Sequence, residues 1–354
     1  MKSKYEHQGG KNLKTTVIAA GSWGTALSMV LNENGHDVKV WARGNEQIEA
    51  INRTHKNEKY LPGIEISENI EFTSDKIYAL SEAELVLFSA PSQQYKSILM
   101  DFVSEGLLLE TAILVNVSKG IDMDTLETVS QITSRIAPKA TFVVLSGPSH
   151  AEEVAQRLPT ALVSASKSRE AAELVQDLFS NDYIRVYTNP DVIGVEISGA
   201  LKNIIALGAG ISDGLGYGDN AKAALITRGI REIATLGMAM GADQETFKGL
   251  AGVGDLIVTC TSMHSRNRRC GILIGQGHSL TESIDSVGMV VEGAYTVKAA
   301  YTLKSKYNLE LPITTELYKV LYEDKNAREA VNYLMTRQRK HEMDEYATHF
   351  ENWV

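Results

Sequence analysis

One lysine lies in the longest weakly charged stretch of the sequence, and its surroundings predict acid–base chemistry. Lys202 lies within residues 192–212, where Glu196 is the other charged residue. Burial disfavours the ammonium form, so a lysine in such a helix titrates closer to neutrality and can donate or accept a proton. The alternative is a lysine that reaches solvent from the helix edge. The neighbouring Gly199 and Asn203 favour the first interpretation, because they suit a crowded site.

Two segments further along the chain carry polar groups that could belong to a site. The glycine-rich bend at 249–256 presents one carboxylate, Asp255. Residues 262–269 contain a short cluster of arginines with serine and asparagine, which suits a phosphate dianion. The alternatives for this cluster are a solvated basic patch and a nucleic-acid contact. The acidic composition of the chain disfavours nucleic acid.

A glycine-containing turn follows the first apolar run of the sequence. Residues 17–27 read Val-Ile-Ala-Ala-Gly-Ser-Trp-Gly-Thr-Ala-Leu, which passes from an apolar strand into a helix. This is the position of the dinucleotide fingerprint Gly-x-Gly-x-x-Gly, in which a pyrophosphate lies at a helix N-terminus. Gly21 and Gly24 occupy two of the glycine positions, and Ala19 occupies the first. The turn predicts a dinucleotide site; the alternative is a tight turn without a ligand.

The end of the second predicted strand bears on which dinucleotide fits. An NAD-selective site usually has an acidic residue about 20 residues past the glycines, where it binds the ribose 2′-hydroxyl. Residues 40–45 contain no acid and one arginine, Arg43. Its guanidinium could pair with a 2′-phosphate, or it could be an ordinary solvated arginine. We therefore expect either NADPH or NADH as the cofactor.

Three polar loops follow successive predicted strands, where open α/β sheets bind their ligands. They are residues 90–92 (Ala-Pro-Ser), 118–120 (Ser-Lys-Gly) and 146–150 (Ser-Gly-Pro-Ser-His). Lys119 in the second loop places a cation beside flexible backbone, which suits a phosphate or a polarised oxygen. Small residues and proline also form ordinary turns. The positions of the three loops at successive strand ends nevertheless favour a ligand cleft.

The composition excludes several classes of protein. The chain has 354 residues, of which 44% are hydrophobic and 22% are charged, as in soluble globular proteins. Its net charge of −9 disfavours nucleic acid and anionic membranes as partners. Two cysteines exclude a disulfide scaffold, and no spacing indicates a metal site. The two charges in residues 192–212 predict a buried helix there, so we expect no stable membrane insertion.

The alternation of elements predicts an α/β fold with an N-terminal Rossmann-type doubly wound sheet, followed by an all-helical C-terminal domain. We predict a disordered extension at 1–14, the dinucleotide-binding domain at 15–190 and the helical substrate-binding, catalytic domain at 191–354. Several runs are continuously apolar, as in strands buried on both faces of a largely parallel sheet. The predicted strands are 15–19, 38–41, 85–89, 112–117, 141–145, 161–164 and 184–187.

Taken together, these motifs resemble those of the bacterial NAD(P)-dependent glycerol-3-phosphate dehydrogenases, from about residue 15 to the C-terminus. The segments that carry the resemblance are 21–27 (Gly-Ser-Trp-Gly-Thr-Ala-Leu), 59–63 (Lys-Tyr-Leu-Pro-Gly), 118–120, 145–153 (Leu-Ser-Gly-Pro-Ser-His-Ala-Glu-Glu), 194–203 (Gly-Val-Glu-Ile-Ser-Gly-Ala-Leu-Lys-Asn), 216–225, 252–256, 265–267 (Ser-Arg-Asn) and 288–293 (Gly-Met-Val-Val-Glu-Gly). The resemblance implies reversible, NADPH- or NADH-dependent reduction of dihydroxyacetone phosphate to sn-glycerol 3-phosphate, which supplies glycerophospholipid synthesis. It also implies a homodimer in the cytoplasm.

The same resemblance implies roles for individual residues. Lys202 would be the proton donor or acceptor at the reacting oxygen, Lys119 would contact substrate and cofactor, and Asp255 would orient the lysine and the substrate. The implied substrate site consists of Lys119, Gly147, Ser149, Lys202, Asp255, Ser265, Arg266 and Asn267. The implied dinucleotide site consists of Gly21, Ser22, Trp23, Gly24, Arg43, Tyr60, Lys119, Ala151, Arg266, Val290 and Glu292.

Two departures from the family pattern leave alternatives open. Ala19 replaces the usual first glycine, which affects cofactor binding, and Gly44 stands where related members often carry a second basic residue, which weakens any NADP preference. One alternative is a related β-hydroxyacid dehydrogenase, which would need a carboxylate site instead of the phosphate site expected at 265–267. The other is a dinucleotide sensor that binds cofactor without turnover.

Overall fold

The computed structural model describes residues 12–339 and residue 342. Residues 1–11 of the predicted N-terminal extension lie outside the described residues. At the other end of that segment the prediction was wrong, because Lys14 is already the first residue of a strand and Leu13 is buried.

The described part of the N-terminal half contains ten strands, eight of which form one sheet. They are β1 (Lys14–Ile18), β2 (Asp37–Trp41), β3 (Lys56–Asn57), β4 (Leu61–Glu65), β5 (Ile70–Thr73), β6 (Leu85–Phe88), β7 (Ile113–Asn116), β8 (Thr141–Ser146), β9 (Thr160–Ala165) and β10 (Ile184–Asn189). The order in the large sheet is β10-β9-β8-β7-β6-β1-β2-β5, and β3 pairs separately with β4. All seven predicted strands occur, with ends shifted by one or two residues. Strands β3, β4 and β5 were missed because none of them has a continuous apolar run.

Seven helices accompany these strands within the described residues. They are α1 (Ser22–Glu33), α2 (Asn45–Thr54), α3 (Lys76–Leu80), α4 (Ser92–Ser104), α5 (Val129–Ile136), α6 (Ala151–Ala155) and α7 (Arg169–Phe179). All four residues of β6 are buried, as a strand covered on both faces must be. The strands β6, β7 and β8 are parallel neighbours. Their carboxyl ends therefore bring the three predicted polar loops to one edge of the sheet.

The described chain after Asn189 contains helices and no strand. The helices are α8 (Val192–Gly214), α9 (Asp219–Ala239), a 3₁₀ helix (Gln244–Lys248), a π-helical turn (Leu250–Gly254), α10 (Asp255–Thr261), α11 (Arg266–Gly275), α12 (Leu280–Val287), α13 (Glu292–Lys306), α14 (Pro312–Tyr322) and α15 (Ala327–Thr336). The predicted fold class, a Rossmann-type sheet followed by a helical part, is confirmed.

Helix α8 is the central element of the helical part. It is long and apolar enough to cross a membrane, but 94% of its most apolar stretch is buried inside the protein. The buried helix predicted at 192–212 is therefore confirmed. Its backbone is in direct contact with α11: a Cβ on Gly271 would lie 2.1 Å from the Leu207 carbonyl oxygen, and one on Gly210 would lie 2.1 Å from that of Arg268. The absence of side chains at these glycines lets the two helices approach closely.

We predict that Gly271→Ala destabilises the protein by about 1–3 kcal/mol, because the added methyl group must displace backbone of α8. Urea unfolding measures the change in free energy. The matched control is Gly208→Ala in α8, where the nearest atom to the new Cβ is the movable end of the Leu317 side chain at 3.2 Å. We expect this control to change stability by less than about 1 kcal/mol. Equal effects of the two substitutions would contradict the importance of the backbone contact.

Candidate active site

The turn between β1 and α1 has an unusual backbone conformation. Ala19 has φ = 82°, a region that L-residues other than glycine rarely adopt. The Ala19 carbonyl oxygen accepts a 3.0 Å hydrogen bond from the Ser89 hydroxyl. A Cβ on Gly24 would lie 2.3 Å from both of those oxygens, so only glycine fits there. Position 19 thus has glycine-like geometry although alanine occupies it.

The start of helix α1 has the features that a dinucleotide requires. Gly21 precedes the helix and offers no side-chain cap, and a Cβ on it would meet no described protein atom within 4 Å. The Ser22 hydroxyl donates a 2.5 Å hydrogen bond to the Tyr60 carbonyl oxygen. The first-turn N–H groups near Trp23 are therefore left for an anion, since backbone donors at a helix N-terminus bind phosphates. This donor set fits the pyrophosphate of a dinucleotide.

The other predicted cofactor residues lie around this edge of the sheet. Arg43 is exposed directly after β2, with its guanidinium 5.9 Å from the Trp41 ring centre. Val290 is 37% exposed just before α13. The Glu292 carboxylate accepts hydrogen bonds from the Ser92 backbone N–H (3.0 Å) and hydroxyl (2.8 Å), at the first residue of α4. Burial raises the pKa of Glu292.

Three of the predicted catalytic groups form one buried cluster. One Asp255 carboxylate oxygen accepts a hydrogen bond from Lys202 Nζ, and the other accepts one from Lys119 Nζ at 2.6 Å. Lys202 Nζ also donates to the Thr259 hydroxyl at 2.7 Å, and Lys119 Nζ donates to the Gly147 carbonyl oxygen at 3.2 Å. A single carboxylate therefore holds two ammonium groups that lie 83 positions apart in sequence numbering (202 − 119).

The surroundings lower the pKa of both Lys202 and Asp255, but for different reasons. Burial lowers the pKa of Lys202 to about 7; the Asp255 charge opposes this shift and the Lys119 charge adds to it. Burial raises the pKa of Asp255, but the charges and hydrogen bonds of the two lysines outweigh it, so that its pKa lies below the ordinary value. Asp255 therefore stays ionised while Lys202 exchanges a proton near neutral pH.

The loop 146–150 and helix α6 border the lysine cluster. Gly147 has φ = 138°, and its carbonyl oxygen accepts the Ser149 hydroxyl at 3.1 Å as well as Lys119. Ala151 is the first residue of α6 and is buried. Burial lowers the pKa of His150, and the nearby charge of Lys202 lowers it further. His150 was not among our predicted site residues.

The Ser-Arg-Asn segment at 265–267 contains one exposed cation and two structural side chains. Arg266 forms no ion pair within the described residues. Burial of its guanidinium lowers the pKa of Arg266, and the nearby charges of Glu292 and Glu152 oppose this shift. The buried Ser265 hydroxyl caps α11 by accepting the Arg268 N–H at 3.2 Å. The Asn267 amide donates to Asn203 Oδ1 at 3.0 Å and accepts the Gly293 N–H at 2.8 Å. Asn267 therefore joins α8, α11 and α13.

Two functional positions were missed by the sequence interpretation. Thr259 holds Lys202, and its spacing of four from Asp255 on one helix could have suggested this, because residues i and i+4 lie on the same face. Ser92 was noted only as part of a loop, and no sequence signal indicates that its partner is Glu292, 200 residues away.

A turn that fits a dinucleotide and a lysine that can exchange a proton, Lys202, lie at the carboxyl edge of one doubly wound sheet. Together they define a nicotinamide-dependent oxidoreductase with a dinucleotide-binding sheet and a helical catalytic part.

The comparisons with known proteins identify the family. Residues 14–172 match the model of the NAD-dependent glycerol-3-phosphate dehydrogenase N-terminus, and residues 191–332 match that of its C-terminus. A glycerol-3-phosphate dehydrogenase [NAD(P)+] of Bacillus cytotoxicus is 54% identical, covering 94% of this chain and 97% of that protein. That of Bacillus subtilis is 52% identical, covering 96% and 99%. The chain belongs to the NAD-dependent glycerol-3-phosphate dehydrogenase family.

Solved structures agree with this assignment. The crystal structure of glycerol-3-phosphate dehydrogenase from Coxiella burnetii superposes with a TM-score of 0.89 at 34% identity, covering 92% of this chain and 99% of that one. D-mandelate dehydrogenase, at 15% identity and a TM-score of 0.58, shares the fold alone. The predicted family, enzyme class and nicotinamide cofactor are therefore confirmed.

We predict that Ala19→Gly stabilises the protein by up to about 1.5 kcal/mol and tightens dinucleotide binding. The positive φ costs an alanine roughly 1–2 kcal/mol, and the added freedom of the unfolded chain offsets about 0.4–1 kcal/mol of the relief. Thermal unfolding and fluorescence titration with NADPH measure the two effects. The neighbouring Ala20 does not have a positive φ, so Ala20→Gly should destabilise. If Ala19→Gly is neither more stable nor tighter in binding, the turn does not require a glycine.

Proposed function

We propose that this protein reduces dihydroxyacetone phosphate to sn-glycerol 3-phosphate, reversibly, with Lys202 as the proton donor or acceptor. The observation that carries the proposal is the Asp255 carboxylate held between two ammonium groups. An ammonium group has three N–H donors, and described residues use two on each lysine. The third donor of Lys202 can bind the C2 oxygen of the substrate, beside the charge of Lys119.

When bound, the reduced nicotinamide supplies the hydride for the C2 carbon. Lys202 then gives its proton to the oxygen at C2 and becomes a neutral amine, and the reverse reaction returns the proton to it. A pKa of about 7 lets the amine exist in both forms near neutral pH. Reduction requires the ammonium form, so its rate falls as the pH rises through this pKa. Oxidation requires the neutral amine and has the opposite dependence.

Binding roles for the surrounding residues complete the proposal. Arg266 pairs with the substrate phosphate, because it is an exposed cation without an ion pair in the described chain. Gly147 and Ser149 line the same pocket, while Ser265 and Asn267 hold its wall in place. The dinucleotide lies on the α1 turn, with Arg43 beside its 2′ position and Glu292 and Val290 at the opposite wall.

We also propose domains at 15–190 and 191–354, a homodimer and a cytoplasmic location, with a role in glycerophospholipid synthesis. The change from β10 to α8 between Asn189 and Val192 supports the boundary. The dimer and the location rest on the family alone.

The proposed reaction predicts turnover of dihydroxyacetone phosphate with both NADPH and NADH. Initial rates measured in parallel by absorbance test it, with small 3-hydroxy acids plus NAD(P)+ as the comparison for a β-hydroxyacid dehydrogenase. Arg43→Ala should weaken NADPH by roughly tenfold to a hundredfold, the equivalent of about 1.5–3 kcal/mol for one charge-assisted hydrogen bond, and weaken NADH less. Cofactor binding without turnover would indicate a sensor, and equal losses for both cofactors would show that Arg43 does not contact the 2′ position.

We predict that Lys202→Met lowers kcat by about 10²–10⁴, the usual contribution of general acid catalysis, while dinucleotide affinity is retained. Methionine keeps most of the aliphatic length, and Asp255 remains paired with Lys119. Steady-state kinetics with dihydroxyacetone phosphate and NADPH titration measure the two quantities. Met263→Leu is the control, because Met263 is 57% exposed and is not part of the lysine cluster. A Lys202→Met enzyme with more than about a tenth of the wild-type kcat would exclude Lys202 as the essential acid.

A further inference from the structure

A second buried carboxylate on α8 joins the helical part to the dinucleotide-binding part. Glu196 is 7% exposed, and its carboxylate accepts the Ser130 N–H at 2.8 Å and the Ser130 hydroxyl at 2.5 Å. Ser130 lies in the first turn of α5, where backbone N–H groups lack helical partners and favour a negative charge. The Thr128 hydroxyl also lies close enough to act on this carboxylate. These bonds cross between the two halves of the protein.

Helix α5 is connected directly to the loop that carries Lys119. This loop, residues 117–128, begins after β7 and ends at Thr128, the capping residue of α5. Within it, the Asp122 carboxylate accepts the Thr125 N–H and hydroxyl, both at 2.8 Å. These hydrogen bonds stabilise the segment between Lys119 and α5, so a displacement of α5 would be expected to move Lys119 as well.

On the other side, Glu196 and Lys202 belong to the same continuous helix. Gly199 lies between them, and a Cβ on it would be 3.3 Å from Lys119 Cγ, so the stem of Lys119 lies against α8 at this point. Glu196 thus joins the Lys202 helix to the end of the Lys119 loop. The Asp255 carboxylate joins the same two lysines at their charged ends.

We propose that Glu196 is a positioning residue, which sets the Lys119 loop against helix α8 so that both lysines meet Asp255 in the reactive arrangement. This inference rests on the proposed function, because it concerns the spacing of the two lysines that act on the substrate in that proposal. Glu196 itself touches neither lysine.

The chain offers a matched control for Glu196. The Glu232 carboxylate accepts the Ile313 N–H at 2.6 Å and the Thr314 N–H and hydroxyl, both at 3.0 Å, at the N-terminus of α14. Burial raises the pKa of both glutamates to about 7. The two residues therefore share burial, bonding pattern and titration, but Glu232 connects helices within the helical part only.

The experiment compares Glu196→Ala and Glu196→Gln with Glu232→Ala in the full chain, using kcat, KM and the pH profile of dihydroxyacetone phosphate reduction, together with Tm. Both alanine variants should lower Tm. We expect Glu196→Ala to lower kcat at least tenfold with the KM for NADPH changed less than about twofold, and Glu232→Ala to keep kcat within about twofold of wild type. Glu196→Gln retains an acceptor for the Ser130 N–H and should recover most of the activity.

The pH profile separates a positioning role from a merely structural one. The titratable groups that interact with Lys202 include Asp255, Lys119, His150 and Cys260. Glu196 instead faces Ser130, Thr128 and the Tyr95 hydroxyl. Because the Lys119 charge lowers the pKa of Lys202, displacement of its loop should move the high-pH limb of kcat upward by roughly one unit. Glu232→Ala should leave the high-pH limb of the kcat profile unchanged.

The outcomes distinguish this inference from the function on which it rests. A wild-type protein that does not reduce dihydroxyacetone phosphate overturns the proposed function and the inference with it. The inference alone is overturned if the wild type is active and the Glu196→Ala variant has a lower Tm but an unchanged kcat and an unchanged high-pH limb of the kcat profile. If Glu196→Ala does not fold, Glu196→Asp, which keeps the charge on a shorter side chain, takes its place. Unchanged kcat in that variant would likewise overturn it.

Discussion

The structure depends on the Asp255 carboxylate that lies between Lys119 and Lys202. Two ammonium groups without it would repel each other in a site that excludes most solvent, where charges interact more strongly than in water. With it, the cluster carries one net positive charge in place of two. Removing one partner of such a buried group would leave the remaining charges buried without compensation. The strand end, the loop and the two helices that supply these side chains are therefore fixed relative to one another by one set of bonds.

Helix α8 is the scaffold on which this arrangement is built. Its glycines at 210 and 214 meet backbone of α11, while Gly199 admits the stem of Lys119. At Gly210 and Gly214 the missing side chains let the backbone of α11 approach α8 closely. Since α11 begins at Arg266, the close packing also sets the distance from the residue that we propose to bind the phosphate to Lys202. A helix with larger side chains at these positions would hold the same groups too far apart.

Buried or half-buried glutamates bind the N-termini of several helices in this protein. Glu196, Glu232 and Glu292 each accept a backbone N–H together with a serine or threonine hydroxyl at a helix start. Such sites supply donors and a positive dipole end, which offset the loss of hydration of the carboxylate. Glu196 and Glu292 connect the two halves of the chain across the cleft, one at α5 and the other at α4. The relative placement of the halves is thus determined by directional bonds as well as by apolar contact.

Local sequence determined the fold class, the dinucleotide turn and the identity of the chemical groups. Buried parallel strands are apolar throughout, so seven strands were recognisable, and Lys202 stood out because a charge in an apolar helix is conspicuous. Strand β5 was missed because its pairing with β2, and not an apolar composition of its own, identifies it as a strand. Only the tertiary structure decided which groups meet. The bridging role of Asp255, the pairing of Glu292 with Ser92 and the positive φ of Ala19 depend on contacts between distant segments, and no local pattern of residues encodes the distance between them.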